Sequence, residues 1–138
     1  MSLQYGVALR NAQLDAIEST IGTAPKLQLR SGAPPANCAT AASGTLLCEM
    51  TLPSDWLAAA SSGSKAKSGT WSGTGDAGAG SGTAAAHWRL LDSAGSVCHA
   101  QGTITVTGGG GDLTLDNTSI ASGQAVSISS WSFSAANS

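Results

Sequence analysis

Two histidines and three cysteines carry most of the reactive side-chain chemistry of this 138-residue chain. His87 and His99 would lie diagonally across a hairpin and could share a metal ion, but no third ligand of the usual kind accompanies them. Two partly exposed histidines on a polar strand face is the commoner arrangement. Cys38, Cys48 and Cys98 are odd in number and lack metal-site spacing. In a reducing compartment they are expected as buried free thiols, with a Cys38–Cys48 bridge as the alternative.

Four short motifs have the outline of a site. Ser62-Gly63-Ser64-Lys65 has the spacing of a Ser–Lys acyl-transfer pair, yet a serine-rich stretch produces that match by chance. Gly73-Thr74-Gly75-Asp76-Ala77-Gly78 carries the glycines of a dinucleotide loop, but more glycine follows where the phosphate-binding helix should start. Gly108–Gly111 lacks the Lys-Ser/Thr of a phosphate loop and reads as a flexible tip or a close backbone approach. Asp112 and Asp116 share a strand face and could bind calcium with Asn117, although solvated strand-end aspartates are commoner. No catalytic residue, metal or cofactor is expected, and the chain reads as a non-enzyme.

The four tryptophans stand out beside one Tyr and one Phe. Exposed tryptophans on a β-sandwich can stack on sugars. Trp88 and Trp131 instead have core parity, and Trp56 is expected to plug one end of the core. Trp71 is the best candidate for a surface or interface role.

Composition limits the partners. Charged residues make up 10% of the chain, against about 25% in typical soluble domains. The net charge is −2 and no basic patch is present, so nucleic acid is not expected. The opening residues show no basic and apolar leader, and no run approaches the ~20 apolar residues of a membrane span. Synthesis in the cytoplasm is the expectation. The Asn117-Thr118-Ser119 sequon is then not expected to meet a glycosylation machinery. At this length one domain, 1–138, is expected. Its weakly charged Ser/Thr/Gly/Ala surface reads either as tolerance for close neighbours or simply as a small-residue β protein.

The elements that would position these residues are mostly strands. Residues 6–21 form the one amphipathic helix, with Val7, Leu14, Ile17 and Ile21 on one face, the Arg10 stem between them, and Asp15 and Glu18 on the wet side. Gly22 caps it and Pro25 ends it. Strands follow at 26–30 and 46–52, around a Pro/Ala/Gly/Thr-rich loop at 31–45 whose residues are too small and polar to pack much. Ser54 would cap a helical turn at 55–60, and a short edge strand would hold Lys65, Lys67 and Trp71. Residues 73–83 read as a flexible loop. Residues 84–91 and 96–101 form a hairpin around Asp92-Ser93-Ala94-Gly95, with Leu90 facing Cys98 and Trp88 facing Ala100 on the core side. His87, Arg89, His99 and Gln101 take the other face. Strands at 103–107 and 112–116 flank the glycine run. The last strand, 126–133, slips parity, and a bulge near Ser129–Ser130 would put Val126, Ile128, Trp131 and Phe133 all inward. The fold class is mainly β: an antiparallel β-sandwich or jelly-roll-like domain of about eight strands.

Three segments carry a resemblance. Ala8-Leu-Arg-Asn-Ala-Gln-Leu-Asp-Ala-Ile-Glu, Leu29-Arg-Ser-Gly-Ala-Pro-Pro-Ala-Asn-Cys, and Gly108-Gly-Gly-Gly-Asp-Leu-Thr-Leu-Asp-Asn-Thr-Ser-Ile-Ala-Ser-Gly-Gln-Ala-Val resemble a family of small tailed-bacteriophage virion structural proteins. The similarity runs over nearly the whole chain and brings no catalytic residues. It implies a part of the particle: a capsid cement or decoration protein that binds the major capsid protein as a homotrimer. The alternative is a tail-, neck- or fibre-associated β domain that touches a glycan receptor. The expected contact elements are the N-terminal segment and loops 31–45 and 73–83, with Val7, Leu14, Trp71, Gly75 and Gly78 as interface residues.

Overall fold

A computed structural model describes residues 3–135. Helix α1 spans Val7–Ile21. Leu14 and Ile21 are buried and Ile17 packs against the core, so this stripe is the covering face. Gly22 ends the helix at φ 89°, with its N–H bonded to Glu18 O at 2.9 Å. Glycine reaches that backbone region without a Cβ clash. No helix among the described residues is long and apolar enough to cross a membrane.

Seven strands form one curled sheet. In spatial order they are β10 (Ala125–Ile128), β4 (Trp71–Gly75), β2 (Leu46–Thr51), β1 (Lys26–Arg30), β6 (His87–Leu91), β7 (Cys98–Val106) and β8 (Leu113–Leu115). All neighbours are antiparallel except β7 and β8. The edges β8 and β10 approach each other across a cleft lined by Thr114, Leu115, Ser127 and Ser129, so the sheet is nearly a barrel. Two small pairs complete the body: β3 (Ser64–Ala66) with β11 (Ser132–Ser134), and β5 (Thr83–Ala84) with β9 (Ser119–Ile120).

The core fills the curl. Leu27, Leu29, Met50, Trp88, Leu90, Ile104, Val126 and Ile128 are buried on its inner side. Trp56, Trp71, Trp88, Trp131 and Phe133 form one aromatic cluster, with ring centroids from 4.7 Å (Trp88–Trp131) to 6.5 Å (Trp56–Phe133) apart. Trp56 is 0% exposed and donates its indole N–H to Gly22 O at 3.0 Å, which ties the helix cap to the core.

Several elements differ from the sequence expectation. The segment 55–60 is extended, because its backbone bonds across to the end of β3 (Ser64–Ala66) and the residues after it: Ala58 N to Ala66 O, and Ser68 N to Trp56 O, each 2.8 Å. The supposed edge strand is two strands, and β4 lies inside the sheet between β10 and β2. The supposed flexible loop 73–83 contributes to β4, a 3-10 turn at Ala77–Ala79 and the start of β5. The parity slip in 126–133 is a full break, with β10 and β11 in different sheets. All four apolar residues still turn toward the core, with Trp131 and Phe133 only partly buried.

The glycine run does not tip a hairpin. It folds back so that β8 runs parallel to the end of β7, with Ile104 opposite Leu113 and Val106 opposite Leu115. Parallel neighbours ordinarily need a long crossover. Here the link passes directly over Thr105: a Cβ on Gly109 would lie 2.7 Å from Thr105 Cβ, and one on Gly111 would lie 2.9 Å from Thr105 N. Only residues without side chains fit so close.

Candidate functional site

The outer face of β1, β6 and β7 is the chemically densest part of the molecule. Strand alternation sends Leu27, Leu29, Trp88 and Leu90 into the curl, and Gln28, Arg30, His87 and Arg89 outward. Gln101 lies opposite Arg89, and Thr103 opposite His87. Residues 31–45 cross this face as a strap between β1 and β2. His87 Nδ1 lies 2.7 Å from Gly32 O and therefore carries the proton. Arg89 donates to Thr40 O and Cys38 O, each at 3.0 Å, and Gln101 donates to Pro35 O at 2.7 Å.

The strap buries what it crosses: His87 is 0% exposed and Arg89 4%. This overturns the expectation of a partly exposed His87 beside a poorly packed loop, whereas His99 is half-buried. The strap has few apolar side chains, but its carbonyls need donors, and the strand face supplies them. The guanidinium of Arg30 adds to the same face. Its pKa is drawn below the ordinary value by burial and by the charge of Arg89, with Glu49 opposing.

His99 does not join His87. Leu90 pairs with Ala100 and Leu91 with Cys98, which leaves His99 as a bulge. The expected register is therefore off by two residues, and Trp88 sits opposite Gly102. The turn explains the shift. Asp92 Oδ1 accepts the amides of Ser96 (2.8 Å) and Val97 (3.2 Å), and Asp92 N donates to Val97 O (3.0 Å), so the loop closes further along the chain. Gly95 adopts a left-handed conformation at φ 73°. The bulge turns His99 toward α1, where it lines a groove with Gln13, Ile17 and Phe133. The two histidines face opposite sides of the sheet, which removes the shared-metal reading.

The same bulge moves Cys98 off the core side and onto the strap side. All three cysteines are free. Cys38, in the strap, has Cys98 as its neighbouring thiol, while Cys98 itself donates to Ala100 O at 3.4 Å. Burial pushes the Cys38 thiol up to about 11, and Cys98 adds to the rise against the pull of Arg89. Cys48, fully buried in β2, is also raised to about 11, by burial and by the charges of Asp76 and Glu49. Such thiols are protonated at neutral pH and react slowly.

The remaining motifs have structural explanations. Ser62 and Gly63, both at positive φ, are the centre of a tight turn closed by reciprocal Ser61–Ser64 backbone bonds. Lys65 points away from that turn and is buried beneath two water-reached carboxylates: its ammonium is 2.8 Å from Asp15 and 3.0 Å from Glu18. It is not an edge lysine, and Asp15 and Glu18 are not merely the wet side of the helix. The dinucleotide-like glycines lie on β4 and in a 3-10 turn capped by Asp76. Asp112 accepts from Thr103 N at 2.9 Å and Asp116 from Thr107 Oγ1 at 3.2 Å, so each carboxylate fastens the β7–β8 link separately. Among the described residues, no three His, Cys, Asp or Glu side chains converge as a metal would require.

Of the expected interface residues, Val7 is 50% exposed and Gly78 is exposed. Leu14 and Trp71 are buried, at 2% and 1% exposure, and are core residues of this chain. Gly75 is also buried; a Cβ there would overlap the carbonyl of Ala121, which is why β4 carries glycine. The burial of Lys65 and the nearness of Cys38 to Cys98 were not anticipated. The one available signal was the run of polar residues at alternate positions of otherwise uncharged strands, opposite a long loop. Compared with known proteins, the chain matches no family model, no curated protein and no solved structure.

Proposed function

We propose that this protein is a structural component of a tailed-bacteriophage virion: a capsid cement or decoration protein that binds the major capsid protein as a homotrimer and braces the expanded shell. The observation that carries the reading is the resemblance of segments 8–18, 29–38 and 108–126 to small virion structural proteins. The exposed apolar side chains Val7 and Leu9, each 50% exposed at the start of α1, support a contact surface there. Repeated weak contacts of that kind add up through multivalency on a symmetric shell. The β-sandwich description belongs to the same proposal. The β3–β11 pair, which brings Phe133 against Trp56, supports that description as the candidate for a second, smaller layer.

The test is co-sedimentation of purified protein with expanded capsids, followed by particle imaging. Binding at shell junctions in hundreds of copies is expected. The double variant Val7→Ser, Leu9→Ser should bind more weakly while staying folded, since both side chains are half exposed. Absence of capsid binding, or density confined to the tail or neck, would overturn the reading.

A further inference from the structure

We infer that Cys38 and Cys98 are a redox latch: a dithiol that closes to a disulfide and fixes the 31–45 strap to β7. The placement rests on three independent anchors. Arg89 holds the Cys38 carbonyl at 3.0 Å. Arg89 and Leu91 lie on the same face of β6, and Leu91 is the cross-strand partner of Cys98. The His99 bulge brings Cys98 onto that face, beside the point where Arg89 anchors Cys38, and makes the two cysteines neighbours. Both cysteines are half-buried, whereas Cys48 lies fully buried inside the sheet beneath Gly73. A low-molecular-weight oxidant can therefore reach the pair and not the third thiol.

The chemistry is thiol–disulfide exchange with an organic disulfide such as oxidised glutathione. One cysteine thiolate attacks the oxidant, forms a mixed disulfide and releases one thiol. The second cysteine then displaces the other half, forming the Cys38–Cys98 bond and a second released thiol. Two electrons pass from the cysteines to the oxidant, and the two cysteine protons end on the released thiols. Closure speeds up as the pH rises, because only the thiolate attacks and the Cys38 thiol is held largely protonated. In a reducing compartment the pair stays open; in oxidising surroundings it closes. The inference stands apart from the virion reading.

The experiment equilibrates native full-length protein with oxidised glutathione at mildly alkaline pH, quenches with acid, unfolds, alkylates and maps peptides. The reduced protein has three alkylatable thiols. After oxidation one is expected, at Cys48, with peptides 31–65 and 90–138 joined by a bond that a phosphine reverses. Cys48→Ala should still form the bridge, which assigns the partner on peptide 31–65 to Cys38. Cys38→Ser and Cys98→Ser should each leave the peptides unlinked. Three free thiols after equilibration, stable mixed disulfides in place of the bridge, or a bridge that includes Cys48 would each overturn the inference.

Discussion

The ammonium of Lys65 lies 2.8 Å from the carboxylate of Asp15, fifty residues earlier in the chain, and fastens α1 to β3. Glu18 adds a second contact at 3.0 Å. The exposures are unequal: the Lys65 side chain is 3% exposed, that of Asp15 56% and that of Glu18 27%. Removing the carboxylates strands a buried cation, while removing the lysine leaves two carboxylates that water can reach. We expect Lys65→Met to cost less than about 1 kcal/mol, since the apolar side chain fills the buried site and the two carboxylates left behind are reached by water. The double variant Asp15→Asn, Glu18→Gln should cost several times more. Urea denaturation of both ranks them, and the reverse order would refute the account.

The acid limb of stability should trace to two carboxylates. The Lys65 hydrogen bond holds Asp15 below its ordinary value of 3.8, against a small opposing effect of burial. The amides of Ser96 and Val97 do the same for Asp92. A carboxyl whose pKa is lowered by folding stabilises above its unfolded value, and that gain is lost as the pH falls through the folded value. The urea midpoint should therefore drop as the pH goes below 3.8. Asp92→Asn keeps an oxygen for the two amides but cannot titrate, so its midpoint should fall less steeply. For Lys65, burial lowers the pKa but the bonds to Asp15 and Glu18 outweigh it, so the value is raised. Its contribution is full below 10.5 and disappears at higher pH.

Trp71 is a core residue, and truncating it should be felt by the whole fold. It touches Trp56 and Trp131 at centroid distances of 6.0 and 5.6 Å. Trp71→Ala is expected to cost about 3–5 kcal/mol, measured by chemical denaturation. A loss under about 1 kcal/mol, the size typical of surface changes, would show that the ring is not packed as described.

Two glycines separate crowding from backbone conformation. Gly75→Ala drives a methyl group into the Ala121 carbonyl, where the turn 121–124 is bonded to β4 through Gly75 N–Gln124 O (2.7 Å) and Gly123 N–Gly75 O (2.9 Å). The neighbour is backbone and cannot rotate away, so a cost of about 1–3 kcal/mol is expected. Gly80 has φ 60° with nothing within 4 Å of a Cβ. Gly80 also has ψ −136°, a region essentially reserved for glycine, so Gly80→Ala should cost about 1–3 kcal/mol from conformation alone, with no clash. Thermal melts of each variant test the two costs, and a change within about 0.5 kcal/mol in either would refute its account.

Local patterns in the sequence were sufficient where local physics decides. The α1 stripe with its Gly22 cap, the alternation of β1, and the inward set Val126, Ile128, Trp131 and Phe133 all follow from period and parity. They were insufficient wherever a distant partner decides. The parallel β7–β8 pairing depends on the glycine link crossing Thr105, which no alternation reveals. A single bulged residue, His99, changes the face of Cys98 and separates the two histidines. Lys65 looks like an edge lysine until α1 is placed beside it. The polar strap was misjudged because its anchors are its own carbonyls, and every residue has one.

The aromatic cluster also sets what light can report. Trp56, Trp71, Trp88 and Trp131 are close enough to exchange excitation, so their emission behaves as one probe of the interior. That probe covers the helix cap, β4, β6 and the entry to β11. The strap lies on the other face of β6, with no tryptophan among residues 31–45. Fluorescence would follow global unfolding faithfully and register little if the strap alone lifted. A label on Cys38, within the strap itself, would see that event.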